Sequence, residues 1–552
     1  MRNILVRRAG LVLAAALAVT FLPAASTAVA AGSHPAGSAL PSKAQQIKVL
    51  TAALALMRQN YPQLAHLEPG PVDVFDYNIG SLWRQGIDGA GTTIALIEGW
   101  DLPSIGQQVA AFDKELGLPD PQITTIFPSG TGQLPAACPA GMDALGTYGS
   151  CQAWGGELTL DVLAAHLIAP YAKIVLSVTP ADSEINDDAA SNVAPPEMME
   201  ALEKISAQHL ANVISISDGQ AEGTFSHGPE QITAQDPGEL AAAAAGIPVL
   251  VGTGDCNVVQ ALPEFDSPCT KVTTGPATAA WDDSPWVTAM GGSVPDFNSA
   301  GQRQGADPLW NVGPFGEGAG FSSVFARPGY QNGVASITGS SMRSVPDLTM
   351  DSSDGTSEAG PLMAGVLALA TQANHANVGP INPVLYRLLG PAGPAAGIVD
   401  VTSGNNSVTS GGTVLVPGFS AGRGFDVASG WGTIDAARFV PSLVSATRLS
   451  GLTDEARLTA SAQLAALERD SIRLSAASIP HGGTASLTAG DFLPGHPVTL
   501  SIDGTLITTL QADAQGSVAD TIDPALLNLT PGRHTISLGS MLLTETAEFR
   551  SS

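Results

Sequence analysis

Residues 155–178 read GGELTLDVLAAHLIAPYAKIVLSV, and the change of period inside this stretch decides the fold class. Glu157 to Leu167 has the character of a helix, whereas AKIVLSV is a short apolar run of β-type residues, as expected of a buried strand. Three further runs of this kind are TTIALIE (92–98), NVISIS (212–217) and GIPVLVGTG (246–254). They alternate with helical segments such as Glu197 to Leu210. This alternation predicts an α/β fold with a mostly parallel sheet flanked by helices. In such folds the active groups gather beyond the carboxyl ends of the strands.

Moving outward, the texture changes at both ends. Arg2, Arg7 and Arg8, an apolar stretch from Gly10 to Phe21 and the small residues Ala28-Val29-Ala30 read as a signal peptide over residues 1–31. A short leader with one possible helix, Ala44 to Met57, fills 32–70, and the α/β unit runs from 71 to 445. A charged, Ala/Leu-rich stretch from Thr453 to Ser471 makes 446–472 a helical linker. Beyond it TASLTA, PVTLSIDG, LITTLQA and HTISLG, separated by Gly and Pro turns, predict a small immunoglobulin-like β-sandwich domain over 473–552. No later run is long enough to span a bilayer, and no repeat of solenoid length is present. The mature protein is expected outside the cell, with no membrane attachment.

The 50 acidic against 23 basic residues give a net charge of −27, which argues against a nucleic-acid partner and suits a protein that works in acid. Cys138 with Cys151 and Cys256 with Cys269 form two close pairs. In an oxidising compartment they read as two local disulfides, although four cysteines permit three pairings and buried free thiols are the alternative. Zinc is excluded by the lack of CxxC spacing or nearby histidines.

Three places carry groups capable of chemistry. Glu157 and Asp161, four apart, share one helical face and repel each other if both are ionised. Ser357, in SSDGTSEAGPLMAGVLALATQA, sits in a glycine-bearing turn ahead of an apolar helix expected to begin near Pro361. Asp255 follows GIPVLVGTG and so lies just past a buried strand. Each taken singly has a plain structural reading: solvated helix face, helix cap and turn former.

Their order along the chain carries more. GELTLDVLAAHLIAPYAKI, VISISDG, VLVGTGDC, DDSPWVTAMGGS, GEGAGFSSVFARPGYQ, VPDLTM, DGTSEAGP and GFDVASGWGTID together resemble the sedolisin, or serine-carboxyl peptidase, family, whose fold is subtilisin-like. The resemblance implies a secreted, acid-active peptidase of protein or peptide substrates, working through an acyl-enzyme. It implies Ser357 as nucleophile, Glu157 as general base, Asp161 as the carboxylate behind it and Asp255 as the oxyanion-hole acid. Glu98, ending TTIALIE, matches a further acid linked to the pair, whose removal should weaken activity rather than abolish it. Ser217, Asp218, Gly219, Gly320 and Ser322 fall on the family's substrate-binding strands. A structural Ca2+ is implied at Asp400 and Asp426 through their side chains and at Val401, Gly422 and Gly424 through their carbonyls, an oxygen set that suits this ion. A carboxyl titrating near roughly 4 stays partly ionised where a histidine near about 6.5 is protonated, so Glu157 is a base for acid conditions and activity is expected at roughly pH 3 to 5.

The chain departs from the family in places. The leader is far shorter than the usual prodomain. Asp218 stands where tryptophan is common, an added carboxylate suited to basic side chains. The segment from Pro346 to Ser357 is short, which opens the approach to the nucleophile. A subtilisin-type triad is ruled out because the strand ends in Ile97-Glu98 and no HGT-like segment follows. The remaining alternative is a catalytically inactive secreted binding protein on the same scaffold; on either reading the chain is expected to be a monomer whose C-terminal unit binds a surface or polymer.

Overall fold

The computed structural model describes residues 71–99, 101–128, 151–179, 196–262, 269–295 and 307–552. The expected signal peptide, leader helix and Cys138 lie outside these residues, as does the side chain of Cys151.

Seven parallel strands form the central sheet. They are β1 (Thr93–Glu98), β2 (Ile123–Ile126), β3 (Lys173–Val178), β4 (Val213–Ile216), β5 (Val249–Gly252), β6 (Thr288–Ser293) and, after an antiparallel pair β7 (Gly320–Ala326) and β8 (Met342–Val345), β9 (Leu348–Asp351). The order across the sheet is β9-β6-β5-β4-β1-β3-β2. Side chains alternate between two cores: Ile94 and Leu96 join one, Ala95 and Ile97 the other. Both faces are covered, which is why the strands read as continuous apolar runs rather than as alternating ones.

The principal helices are α1 (Ile105–Leu116), α2 (Cys151–Ile168), α3 (Glu197–Ala207), α4 (Asp236–Ala245), α5 (Thr356–Asn374), α6 (Ala436–Ser450) and α7 (Leu452–Asp470). α2, α5 and α6 pack on the face carrying Ile94, while α3 and α4 pack on the other. Beyond α7, a three-stranded and a five-stranded sheet enclose their own core of Ile479, Leu487, Val498, Leu500, Ile536 and Phe549. Leu542 of this region reaches into the core of α3 and α4.

Two helices start earlier than their sequences suggest. α2 runs through Gly155-Gly156 from Cys151 because Trp154 packs over Gly99, where a Cβ would lie 2.5 Å from the indole. Tertiary packing thus outweighs the poor helix propensity of the glycine pair. α5 begins at Thr356, five residues before Pro361. Proline has no N–H for the Ser357 carbonyl, and the Ser217 hydroxyl lies 3.3 Å from that oxygen instead. The nucleophile candidate is therefore the second residue of the helix itself.

Behind β8 and β9 lies a buried ion pair. Arg343 Nη1 and Nη2 donate to the two oxygens of Asp347 at 2.7 and 2.6 Å, and both side chains are wholly buried. Tyr386 Oη, Asn382 Nδ2 and the Ala289 N–H also donate to Asp347, at 2.7, 3.1 and 2.9 Å.

Candidate active site

β1, β4 and β5 are neighbours in the sheet, and their carboxyl ends deliver Glu98, Ser217 and Asp255 to one edge. α2 and α5 pack against each other on one face of the sheet, bringing Glu157, Asp161 and Ser357 to the same place. Glu98 and Asp161 are wholly buried, whereas Glu157, Asp255 and Ser357 retain partial exposure.

The Ser357 hydroxyl lies close enough to the Glu157 carboxyl to affect its titration, the neighbourhood required of a nucleophile and its base. Burial pushes the Glu157 carboxyl up to about 8; the Ser357 hydroxyl pulls it down, and the nearby charges of Asp255, Asp218 and Asp354 raise it. Asp161 is also raised, by burial first and then by Glu157, while its hydrogen bonds with Ser217 and Glu98 oppose the shift. Ser217 Oγ donates to Asp161 Oδ2 at 2.7 Å.

Glu98 and Asp161 touch through their carboxyl groups. No N–H or hydroxyl reaches either Glu98 oxygen or Asp161 Oδ1, so the contact is a hydrogen bond only when one of the two carries a proton. Burial, followed by the charges of Asp161 and Glu157, raises Glu98 well above the usual range. Glu98 and Asp161 are thus placed to share a proton, and Glu157 acts on both through its charge, so the three titrate as an interacting set.

Asp255 is held against the start of α5. Its Oδ1 accepts from the Thr356 N–H at 2.8 Å and from Thr356 Oγ1 at 3.0 Å, while the same hydroxyl accepts from the Gly254 N–H at 3.0 Å. Burial raises the Asp255 carboxyl, and the two Thr356 bonds partly offset that. The adjoining residue must be glycine: Gly355 has φ 109°, and a Cβ there would sit 2.9 Å from Asp255 Oδ2. Thr356, which orients this carboxyl, was not singled out from the sequence; its position one residue before the serine was the available signal.

A cleft joins these groups, lined by Ser217, Asp218, Gly219, Asp255, Thr356 and Ser357 among others. Gly320 and Ser322 are not part of that lining. Gly320 pairs with Val345 in the β7–β8 ribbon. Ser322 is buried, donates to Glu222 and accepts from the Phe325 N–H at 2.8 Å, so it braces the strand. Cys256 and Cys269 form a disulfide beside the cleft.

Asp400 and Asp426 hold one loop from two sides. Gly424 N–H donates to Asp400 Oδ2 at 2.9 Å and Gly422 N–H to Asp426 Oδ2 at 2.7 Å. Asp426 Oδ1 takes the Ala428 and Ser429 N–H groups at 2.9 and 2.8 Å. Asp400 Oδ1 is buried without a partner, an oxygen placed for a hard cation, and the set as a whole suits calcium. A separate buried group, Asp73, Asp351 and Glu358, brings carboxylate oxygens within 4.8 Å of one another beneath the start of α5; the sequence reading did not single it out.

No family model matches the chain. Kumamolisin of Bacillus sp. strain MN-32 is 29% identical over 391 residues, covering 65% of this chain and 61% of that protein. Sedolisin of Pseudomonas sp. strain 101 is 28% identical over 270 residues, 44% of this chain and 42% of that one. Human tripeptidyl-peptidase 1 is 28% identical over 259 residues, 41% and 42% of the two chains. The chain therefore spans about three fifths or less of the length of these relatives. Among solved structures, Pseudomonas sedolisin complexed with pseudo-iodotyrostatin superposes with a TM-score of 0.53 at 24% identity, over 67% of this chain and 97% of that one. This likeness supports the shared α/β fold.

Proposed function

We propose that the chain, similar to kumamolisin, sedolisin and xanthomonalisin, is a sedolisin-family serine-carboxyl peptidase and hydrolyses peptide bonds in acid through Ser357, Glu157, Asp161 and Asp255. The observation that carries this reading is that Ser357 and Glu157 come together beside a second, Thr356-anchored carboxyl at Asp255.

Ser357 Oγ attacks the carbonyl carbon of the substrate while its proton passes to Glu157. The C=O electron pair moves onto oxygen, and protonated Asp255 donates to that oxyanion; an ionised carboxylate would repel it. Collapse of the tetrahedral adduct expels the amine, which takes the proton from Glu157 and leaves an acyl-Ser357. Water then attacks the acyl carbon, giving its proton to Glu157, and the second adduct releases the acid as Ser357 recovers a proton. Asp161 and Glu98 hold the Glu157 proton balance from behind, and Ser217 orients Asp161.

Glu157 must be ionised and Asp255 protonated at once. Burial raises both, so the optimum belongs at or above the upper end of the roughly pH 3 to 5 window expected of unperturbed carboxyls. The test is digestion of a denatured protein by the purified mature enzyme and by Ser357→Ala across acid pH. A loss of at least about a thousandfold in the variant is expected. Equal cleavage by both proteins, or none by the intact one, contradicts the reading.

Calcium at Asp400 and Asp426, with carbonyls of Val401, Gly422 and Gly424, would tie the loop together and take no part in the reaction. Chelation should then lower the melting temperature; an unchanged value removes the ion from the account. Secretion, the domain division at 71–445, 446–472 and 473–552, the second disulfide Cys138–Cys151 and an external ligand for the C-terminal unit belong to the same proposal. They rest on the sequence pattern and, for secretion, on kinship with the family.

A further inference from the structure

Behind the cleft, a buried carboxylate replaces a missing strand partner. β7 pairs with β8 at Gly320, Phe321 and Ala326, and the N–H groups between these residues turn elsewhere. Ser323 N–H and Oγ both donate to Glu222 Oε2 at 2.6 Å, and Ser322 Oγ donates to Glu222 Oε1. Val324 and Phe325 N–H in turn donate to Ser322 Oγ at 3.1 and 2.8 Å. Glu222, which is buried, thus fixes the middle of β7. It also closes a wall of the cleft. Ala221 forms a bridge with Ala279, Glu222 N–H donates to the Thr278 carbonyl at 3.1 Å, and Ala280 N–H donates to the Gln220 carbonyl at 2.7 Å. Gln220, Ala221 and Ala279 line the cleft together with Ser357.

Asp283, a short step beyond Ala279, is wholly buried and lies close enough to Glu222 for that carboxyl to act on its titration. No donor lies within hydrogen-bond distance of either Asp283 oxygen, whereas both Glu222 oxygens accept from serine. Three donors make Glu222 the acceptor of the pair, and the lack of any makes Asp283 the member to carry a proton. Burial, then the charges of Asp282 and Glu222, raise the Asp283 carboxyl well above the usual range, and Thr278 eases this only in part. Arg343 and Asp347 act on Asp282, and Asp282 acts on Glu239 of α4; Arg343 is itself bonded to both oxygens of Asp347.

We propose that Glu222 and Asp283 are positioning residues of the cleft: a proton on Asp283 bonds it to Glu222 and holds the wall of Gln220, Ala221 and Ala279 against β7, and loss of that proton sets two buried charges side by side and loosens the wall. Peptide binding is then coupled to a proton that lies away from the reacting atoms. An unburied carboxyl gives up its proton near about pH 4, and the folded wall keeps it beyond that, so the hold is complete in acid and is lost as pH rises through the raised value. Asp283 is raised further than Asp255, which puts this step above the pH at which the oxyanion acid is lost. The role rests on the peptidase reading for the meaning of the cleft, but the wall can be measured without cleavage.

Amide hydrogen exchange in the full-length mature chain is the first measurement, between about pH 4 and about pH 7.5. Protection factors of Ser323, Val324 and Phe325 should fall at least about tenfold with rising pH, the effect of a coupled proton over a single pH unit, while Ile214 and Ile216 in the sheet keep theirs. In Asp283→Asn, whose amide donates to Glu222 at any pH, the fall should disappear. The second measurement is binding of labelled, end-blocked peptides without ionisable side chains to Ser357→Ala. Affinity should drop by at least about tenfold over the same range, and adding Asp283→Asn should restore it near neutrality. Flat protection in the wild type, or a fall that Asp283→Asn leaves unchanged, overturns the inference and leaves the peptidase reading intact. Binding that ignores pH, or no binding at any pH, removes the positioning role. A pH-sensitive wall restored by Asp283→Asn in a protein that cleaves nothing overturns the peptidase reading alone. Should Asp283→Asn fail to fold, the wild-type exchange profile decides.

Discussion

Two of the buried carboxylate assemblies among the described residues solve the same problem in opposite ways. At Asp347 the counter-charge is Arg343, bonded to both oxygens at 2.7 and 2.6 Å, and three further donors complete the shell. At Glu98, Asp161 and Glu157 no cation takes part, and the oxygens facing one another have only protons to share. The first arrangement sets each carboxylate oxygen against a guanidinium nitrogen and ties β8 to the start of β9. The second changes charge with pH and is therefore able to accept and return a proton. Burial alone does not make a carboxyl chemically useful; the identity of what neutralises it does.

The largest effect expected from this contrast is structural. Arg343→Met leaves Asp347 buried without its cation and should cost about 3–5 kcal/mol in urea unfolding, much of it recovered by the double replacement Arg343→Met/Asp347→Leu. A loss below about 1 kcal/mol for the single variant would mean that Asp347 has ceased to depend on the pair.

The proton-sharing side should instead appear as pH dependence of stability. Burial is the first cause of raised values at Glu98, Asp161, Glu239, Asp282, Asp283, Glu317 and Glu358, and it pushes Asp351 and Asp236 up to about 7 and 8. In the unfolded chain carboxyls titrate near about 4, so between there and the raised values the folded state holds more protons. Stability is then fully present below about pH 4 and is lost as pH rises through the folded-state values. The melting temperature should be highest in acid and fall toward pH 8; a flat profile would show that these groups find cations or water instead.

A smaller effect is expected at Glu98. Glu98→Gln keeps a donor for Asp161 but removes one titrating proton, and should lower kcat/KM by about tenfold or less while altering the ascending limb of the pH profile. An unchanged profile would remove Glu98 from the chain, and a loss as deep as that of Ser357→Ala would make it essential.

Much of this is legible in the sequence. Strands buried on both faces show as unbroken apolar runs, which is why AKIVLSV and GIPVLVGTG announced a parallel sheet. Cys256 and Cys269, thirteen residues apart, form the disulfide that their spacing suggested. Other features depend on contacts between distant segments and leave little local trace. Trp154 draws α2 back through two glycines because Gly99, far along the chain, leaves room for it. Ser217 serves the carbonyl that Pro361 cannot, across 140 residues. Thr356 looked like a neighbour of the serine and proves to be the anchor of Asp255. Gly320 and Ser322 lie on an expected strand, yet they serve its packing rather than the cleft lining.

The central claim is that one carboxyl must be ionised while another stays protonated, and Asp255→Asn tests it most directly. Asparagine donates to the oxyanion at any pH, so it removes the requirement for a proton without removing the hydrogen bond. With kcat/KM measured against pH, the wild type should give a bell, and Asp255→Asn should keep the ascending limb and lose the descending one. A variant whose activity still falls with rising pH as the wild type does would contradict the account.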